Sequence, residues 1–152
     1  MSQPWESKHW KTLLNNYSKA PYFSAHEAFF QEIYQSKWDK LLSLIEKVNF
    51  YILQQLRVDK QLIYSSDLSP QSTKGELILE LCKKVGATTY LSGPMGRNYL
   101  EEELFEAANI KLRFHDYAHP HYEQAYAGFE PYMSIIDLLF NHGPKSLEIL
   151  SS

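Results

Sequence analysis

Apolar residues recur at three- and four-residue spacing along two stretches of the first half of the chain. Ala28, Phe29 and Ile33 do so over residues 25–34, and Leu41, Leu42, Ile45, Val48, Ile52 and Leu56 do so from Trp38 onward. That period predicts two amphipathic helices. Leu62-Ile63-Tyr64 is a short β-prone run ending in Ser65, Ser66 and Asp67, followed by the turn material Ser69-Pro70-Gln71-Ser72. It reads as a strand over 62–65 and then a loop. Thr73 and Glu76 fit a capping box, Leu77, Ile78, Leu81, Cys82 and Val85 give one apolar face, and Gly86 supplies a left-handed stop. These predict a helix over 74–85.

The pattern then changes period twice more. Thr88-Thr89-Tyr90-Leu91 is β-prone, and the loop 92–97 leads into a helical stretch carrying Leu100, Leu104, Phe105 and Ala108, with Glu101, Glu102 and Glu103 suited to its first turn. Asn109 can end that helix, after which Ile110, Leu112 and Phe114 alternate with Lys111, Arg113 and His115. An irregular aromatic segment over 119–131 precedes a short helix over 134–140 and a last helical turn begun by Pro144. Helix-length spacers between β-prone runs are what parallel strands require. The expectation is an α/β fold: a small three-layer parallel-sheet core with strands at 62–65, 88–91 and 110–115, a helical N-terminal half and a short helical C-terminal tail.

Composition narrows the function classes. The chain has 152 residues, 44% of them hydrophobic, enough for one compact core, so a single domain over 1–152 is expected. A formal charge of -3 argues against attraction to a phosphate backbone, which disfavours nucleic acid as a partner. The lone Cys82 falls on an apolar helix face and cannot form an intramolecular disulfide, which points to a reducing, cytoplasmic setting. Apolar runs fall short of a bilayer span and the polar start MSQPWESKHW lacks a signal-peptide core, so no membrane association is expected.

Ligands of open parallel sheets bind beyond the carboxyl ends of the strands. That rule selects Ser65, Ser66 and Asp67, then Ser92, Gly93, Gly96 and Arg97, then His115 and Asp116. The loop Ser92-Gly93-Pro94-Met95-Gly96-Arg97 is neither a dinucleotide fingerprint nor a phosphate-binding Walker loop. Its glycines fit either a backbone that approaches an anion or a turn needing positive φ. His115, His119 and His121 gather with Asp116 within seven positions. They can handle protons near neutral pH, or they can be structural. A metal is not expected, because Pro120 interrupts the set and no second ligand cluster is evident. Asp137, set among Ile135, Ile136, Leu138 and Leu139, is costly to bury unless it anchors hydrogen bonds.

Four blocks carry a family resemblance: HWKTLLNNYSKAPYF over 9–23, TYLSGPMGRNYL over 89–100, HPHYEQ over 119–124 and FEPYMSIIDLLFNHG over 129–143. In this order they closely resemble the WbqC-like family. The resemblance implies bacterial proteins of O-antigen and other surface polysaccharide biosynthesis, with a proposed role in transferring a glycine, aminoacyl or acyl group to a nucleotide-linked amino sugar. The rival expectation is a non-catalytic binding or scaffolding module of the same pathway. Carried over by position, the motif residues are His9, Tyr17, Pro21, Tyr22, Ser92, Gly93, Gly96, Tyr99, His119, Pro120, Tyr122, Gln124, Ser134, Asp137 and Asn141. Together with the strand-end rule they give His119, His115 and Asp116 as catalytic candidates. Ser65, Ser92, Gly93, Gly96, Arg97, Tyr99, Tyr122 and Gln124 are the substrate-binding candidates, for a nucleotide sugar or another anionic substrate without a cofactor. The family's usual opening strand with a Gln-Pro segment has no counterpart before Trp5, so the chain resembles the family's C-terminal two-thirds, and a missing segment or companion chain is an expected partner.

Overall fold

The computed structural model describes residues 5–152. In chain order the helices are α1 (Trp5–Tyr17), α2 (Phe23–Gln35), α3 (Leu41–Gln55), α4 (Ser65–Leu68) and α5 (Lys74–Lys84). Strand β1 (Thr89–Ser92), a 3-10 turn (Pro94–Asn98), α6 (Glu102–Ala107) and strand β2 (Lys111–Phe114) follow. The tail holds α7 (Ile135–His142), a second 3-10 turn (Gly143–Lys145) and α8 (Ser146–Leu150). The chain divides into two compact units, one formed by residues 1–60 with 119–152 and the other by residues 61–118.

Among the described residues the regular elements of the first unit are all helices, centred on an aromatic core. Phe23, His26, Phe30 and Ile33 are the buried residues of α2, and Leu13 is that of α1. Leu13, Phe23 and Phe30 cluster with Phe140 of α7, which has no exposed surface. Its ring meets those of Tyr17, Phe23 and Phe30 edge-on, with centroids 5.1, 5.2 and 5.4 Å away, a geometry that adds to simple area burial. The apolar run Leu138-Leu139-Phe140 is thus the piece of α7 that closes the core. Helix α3 departs from expectation. It has no fully buried residue, and Leu41, Leu42, Ile45 and Phe50 are all exposed. It meets the core through Tyr51, which stacks on Phe29 at 3.5 Å, and through buried Leu56 just past its end.

The second unit contains the sheet, which is smaller than expected. β1 and β2 pair in parallel with Thr89 opposite Lys111 and Ser92 opposite Phe114, joined through the 3-10 turn and α6. Leu79, Cys82, Leu100, Phe105 and Ile110 form its core. The expected first strand over 62–65 is not a strand. Leu62 and Ile63 are exposed, and Ser65 opens the helical turn α4. Three β-prone residues carry propensity but no edge to pair with, and sheet preference follows packing rather than backbone alone. Among the described residues the fold is therefore mixed helix with a small two-stranded parallel sheet, consistent with the α/β class.

Helix ends follow local chemistry more closely. Gly86 (φ 67°) and Asn109 (φ 56°) take the left-handed conformation just after α5 and α6, as their residue types predict. The capping box at Thr73 does not form: Thr73 has extended N-cap geometry but makes no side-chain cap bond. The carboxylate of Glu80 instead receives the backbone N–H groups of Gln71 and Ser72, at 3.0 and 2.8 Å, and pins the preceding loop onto the helix.

Candidate functional site

In the first unit, a cleft of about 530 Å³ lies between the C-terminal end of α1, the aromatic segment after Tyr122 and the start of α7. Its floor is Asp137, a carboxylate only 4% exposed. Three local features make that burial tolerable. The side chain sits in the first turn of α7, where the helix dipole favours negative charge. Its Oδ2 accepts hydrogen bonds from the Tyr122 hydroxyl (2.9 Å) and the Gln124 amide (3.0 Å). The Asn141 amide donates to the Asp137 carbonyl at 2.8 Å, so the backbone is held as well.

Gln124 shapes the cleft as well as touching its floor. Its amide donates to the Glu130 carbonyl and its side-chain oxygen receives the Glu130 N–H, at 2.9 and 2.8 Å. This closes the segment 124–130 into a loop whose Tyr126 hydroxyl reaches the Asn15 carbonyl at 3.0 Å. Tyr17, Tyr126, Phe129 and Met133 line the walls. Burial, with the negative charge of Asp137 added, pushes the Tyr17 phenol well above its ordinary pKa, so it stays protonated and able to donate.

His119 borders this arrangement. Its Nδ1–H donates to the Pro120 carbonyl at 2.8 Å, which makes Nε2 the basic nitrogen of the neutral ring. The ring lies 5.9 Å from Tyr122 and 5.8 Å from Phe129, and the His121 ring packs on Phe129 at 4.1 Å. Among the described residues no group of three or more His, Cys, Asp and Glu comes together to hold a metal.

The strand-end candidates fall in the second unit. Arg97 donates two parallel hydrogen bonds to Asp116, each 3.0 Å, and its guanidinium lies 4.6 Å from the centre of the Phe114 ring. These bonds and the guanidinium charge, with a smaller contribution from His115, hold the Asp116 carboxyl below its usual range. Ser92 is buried and donates to the Gly93 carbonyl at 3.1 Å. Neither glycine of the loop has a positive φ. Gly96 is needed for close approach instead, since a Cβ there would overlap the Ser92 hydroxyl. The helix expected to receive an anion begins only at Glu102 and is six residues long, with Glu102 and Glu103 in its first turn. Tyr99 is exposed, and Ser65 opens α4. Tyr122 and Gln124, the other two binding candidates, belong to the Asp137 network in the first unit.

The sequence profile of the WbqC-like protein family matches residues 1–149. The chain belongs to the WbqC-like family. An uncharacterised protein of Mycobacterium tuberculosis is 34% identical to this WbqC-like chain over 148 residues, which make up 96% of the chain and 64% of that protein. The chain thus spans less than two thirds of the length of this curated relative. No solved structure matches it. No helix among the described residues is long and apolar enough to cross a membrane.

Residues missed by sequence reasoning are Asn16, Tyr126, Phe129 and Met133, which line the cleft but carry no spacing signal. Asp137 did carry one: a carboxylate inside an apolar helical run needs partners, and those partners turn out to be Tyr122 and Gln124.

Proposed function

We propose that this WbqC-like chain serves acyl or aminoacyl transfer to a nucleotide-linked amino sugar of surface polysaccharide biosynthesis, with the sugar seated in the Asp137 cleft. The supporting observation is a buried, hydrogen-bonded carboxylate at the floor of an open aromatic cleft. An amino sugar offers an amine, hydroxyls and the apolar faces of its ring. A carboxylate, the amide and phenol groups, and the rings of Tyr126 and Phe129 answer these in turn. The phosphates of the nucleotide face away from Asp137, since like charges repel.

In the transfer, the neutral sugar amine attacks the carbonyl carbon of an activated ester or thioester. A C–N bond forms, the bond from that carbon to the donor's oxygen or sulfur breaks with the electron pair leaving on that atom, and the amine proton passes to a base. His119 Nε2 takes the base role in preference to His115, because its ring lies against Tyr122 and Phe129. Asp137 orients the amine and stabilises positive charge on it before the proton leaves.

Calorimetry with uridine-diphosphate glucosamine, and with uridine-diphosphate glucose as the control lacking an amine, tests the reading. The amino sugar is expected to bind more tightly, and Asp137→Asn to weaken it by about tenfold or more, the cost of a lost charge-assisted bond. Asn16→Ala at the cleft wall provides a variant that keeps the buried network intact. Equal binding of the two sugars, or full affinity in both variants, overturns the site. Tight binding with no transfer from any activated donor favours the binding-module reading over the transferase.

A further inference from the structure

A second pocket in the first unit, of about 220 Å³, lies where the end of α3 meets α2 and the turn after α7. Its lining includes Tyr22, His26, Gln54, Gln55 and Arg57, and no carboxylate among the described residues. His26 is the unusual member. It is 5% exposed, and its Nδ1 lies 2.7 Å from the Tyr51 hydroxyl. A phenol is a much stronger acid than a neutral imidazole, so Tyr51 donates to Nδ1 and the ring proton sits on Nε2. Among the described residues Nε2 has no hydrogen-bond partner, yet no fully buried polar side-chain atom there lacks one. Nε2 is therefore not fully buried, and His26 lines this pocket.

Arg57 supplies the charge. It follows α3 in a Schellman turn, with its own N–H bonded to the Gln54 carbonyl and that of Val58 to the Leu53 carbonyl, at 3.0 and 2.9 Å. Its φ is 55°, a conformation for which glycine is the usual residue. Among the described residues its guanidinium forms no ion pair. A strained backbone position is thus occupied by a cation with no carboxylate partner among the described residues, in a pocket that His26 also lines.

We propose that this pocket binds a small anion carrying one phosphate or carboxylate group, held between the Arg57 guanidinium and the His26 Nε2–H. Gln54, Gln55 and Tyr22 complete the lining, which among the described residues holds no negative charge. The volume lies below the range usual for drug-sized ligands, which limits the occupant to a simple anion or the anionic tip of a larger molecule. The site is separate from the Asp137 cleft, with which it shares no lining residue.

Imidazole nitrogen signals, followed by NMR while the whole chain is titrated with inorganic phosphate, with acetate and with sodium chloride at matched ionic strength, test this directly. The His26 signals are expected to shift saturably with phosphate or acetate and not with chloride, and the anion that saturates them names the class. Arg57→Gly is expected to weaken that binding by about tenfold or more while the thermal midpoint holds or rises, because glycine relaxes the backbone. Asp137→Asn is expected to leave it unchanged, so failure of the cleft and failure of this pocket are read separately. No saturable shift, the same shift with chloride, or full affinity in Arg57→Gly overturns the proposal.

Discussion

Gly143 occupies a position that no other residue can take without cost. Its φ of 50° with ψ of -121° lies in a region reserved for glycine, and a Cβ there would run into the Tyr22 ring. Gly143→Ala is expected to destabilise the chain by about 2–3 kcal/mol, combining backbone strain with overpacking, as read by urea denaturation. Tyr122→Phe examines the other end of α7. It removes one of the donors to a buried carboxylate, which Gln124 and Tyr17 also reach, and is expected to cost about 1–3 kcal/mol. A neutral effect would mean that water replaces the phenol and that Asp137 is more open than its burial indicates. Of these positions, the sequence marked Asp137 through its apolar neighbours and Gly143 only through the helix end it marks, because a ring lying over a glycine from far along the chain leaves no local trace.

At the level of elements, periodicity located α2, α3, α5 and α7 to within a few residues, because each carries an apolar stripe against a core or a strong end signal. It was less reliable about what each stripe touches. Of the apolar stripe expected from Leu41 to Leu56, Leu41, Leu42 and Ile45 are exposed and only Leu56 is buried. The run at Leu62 read as a strand because propensity is local, whereas pairing is not. The end of the loop before α5 shows the same limit: Thr73 and Glu76 matched a capping pattern, but Glu80, one turn further on, holds the loop. The Ser72 and Gln71 bonds, with help from Lys84, lower the Glu80 pKa from 4.5 to about 2. A carboxyl whose pKa is depressed on folding lends stability above its unfolded value and loses it as pH falls through the folded one. Wild type is therefore expected to be more stable than Glu80→Gln above about pH 4.5, with the gap closing towards pH 2, as measured by thermal unfolding across that range.

Across the whole molecule, the cleft was the least legible feature. Its lining comes from the end of α1, the loop after Tyr122 and the start of α7, which lie more than a hundred residues apart in sequence at their extremes, and the loop has no period to read. Gln124, which lines the cleft, and Tyr122, which bonds its floor residue Asp137, were found through the family resemblance and not through spacing. The same distance governs the core. Phe140→Ala removes the ring that Tyr17, Phe23 and Phe30 share and is expected to cost about 3–5 kcal/mol. Amide hydrogen exchange should then show faster opening of α1, α2 and α7, the helices that converge on Phe140.

The path of the chain also sets a timetable. Residues 61–118 are made between the two parts of the first unit, so Phe23 and Phe30 leave the ribosome long before Phe140 exists to cover them. At ordinary rates of synthesis the wait is on the order of ten seconds, far longer than a helix or a loop takes to form. Through that interval the N-terminal helices hold an uncovered aromatic face, which makes nascent chains ending before Phe140 the natural clients of chaperones and the species most prone to aggregate.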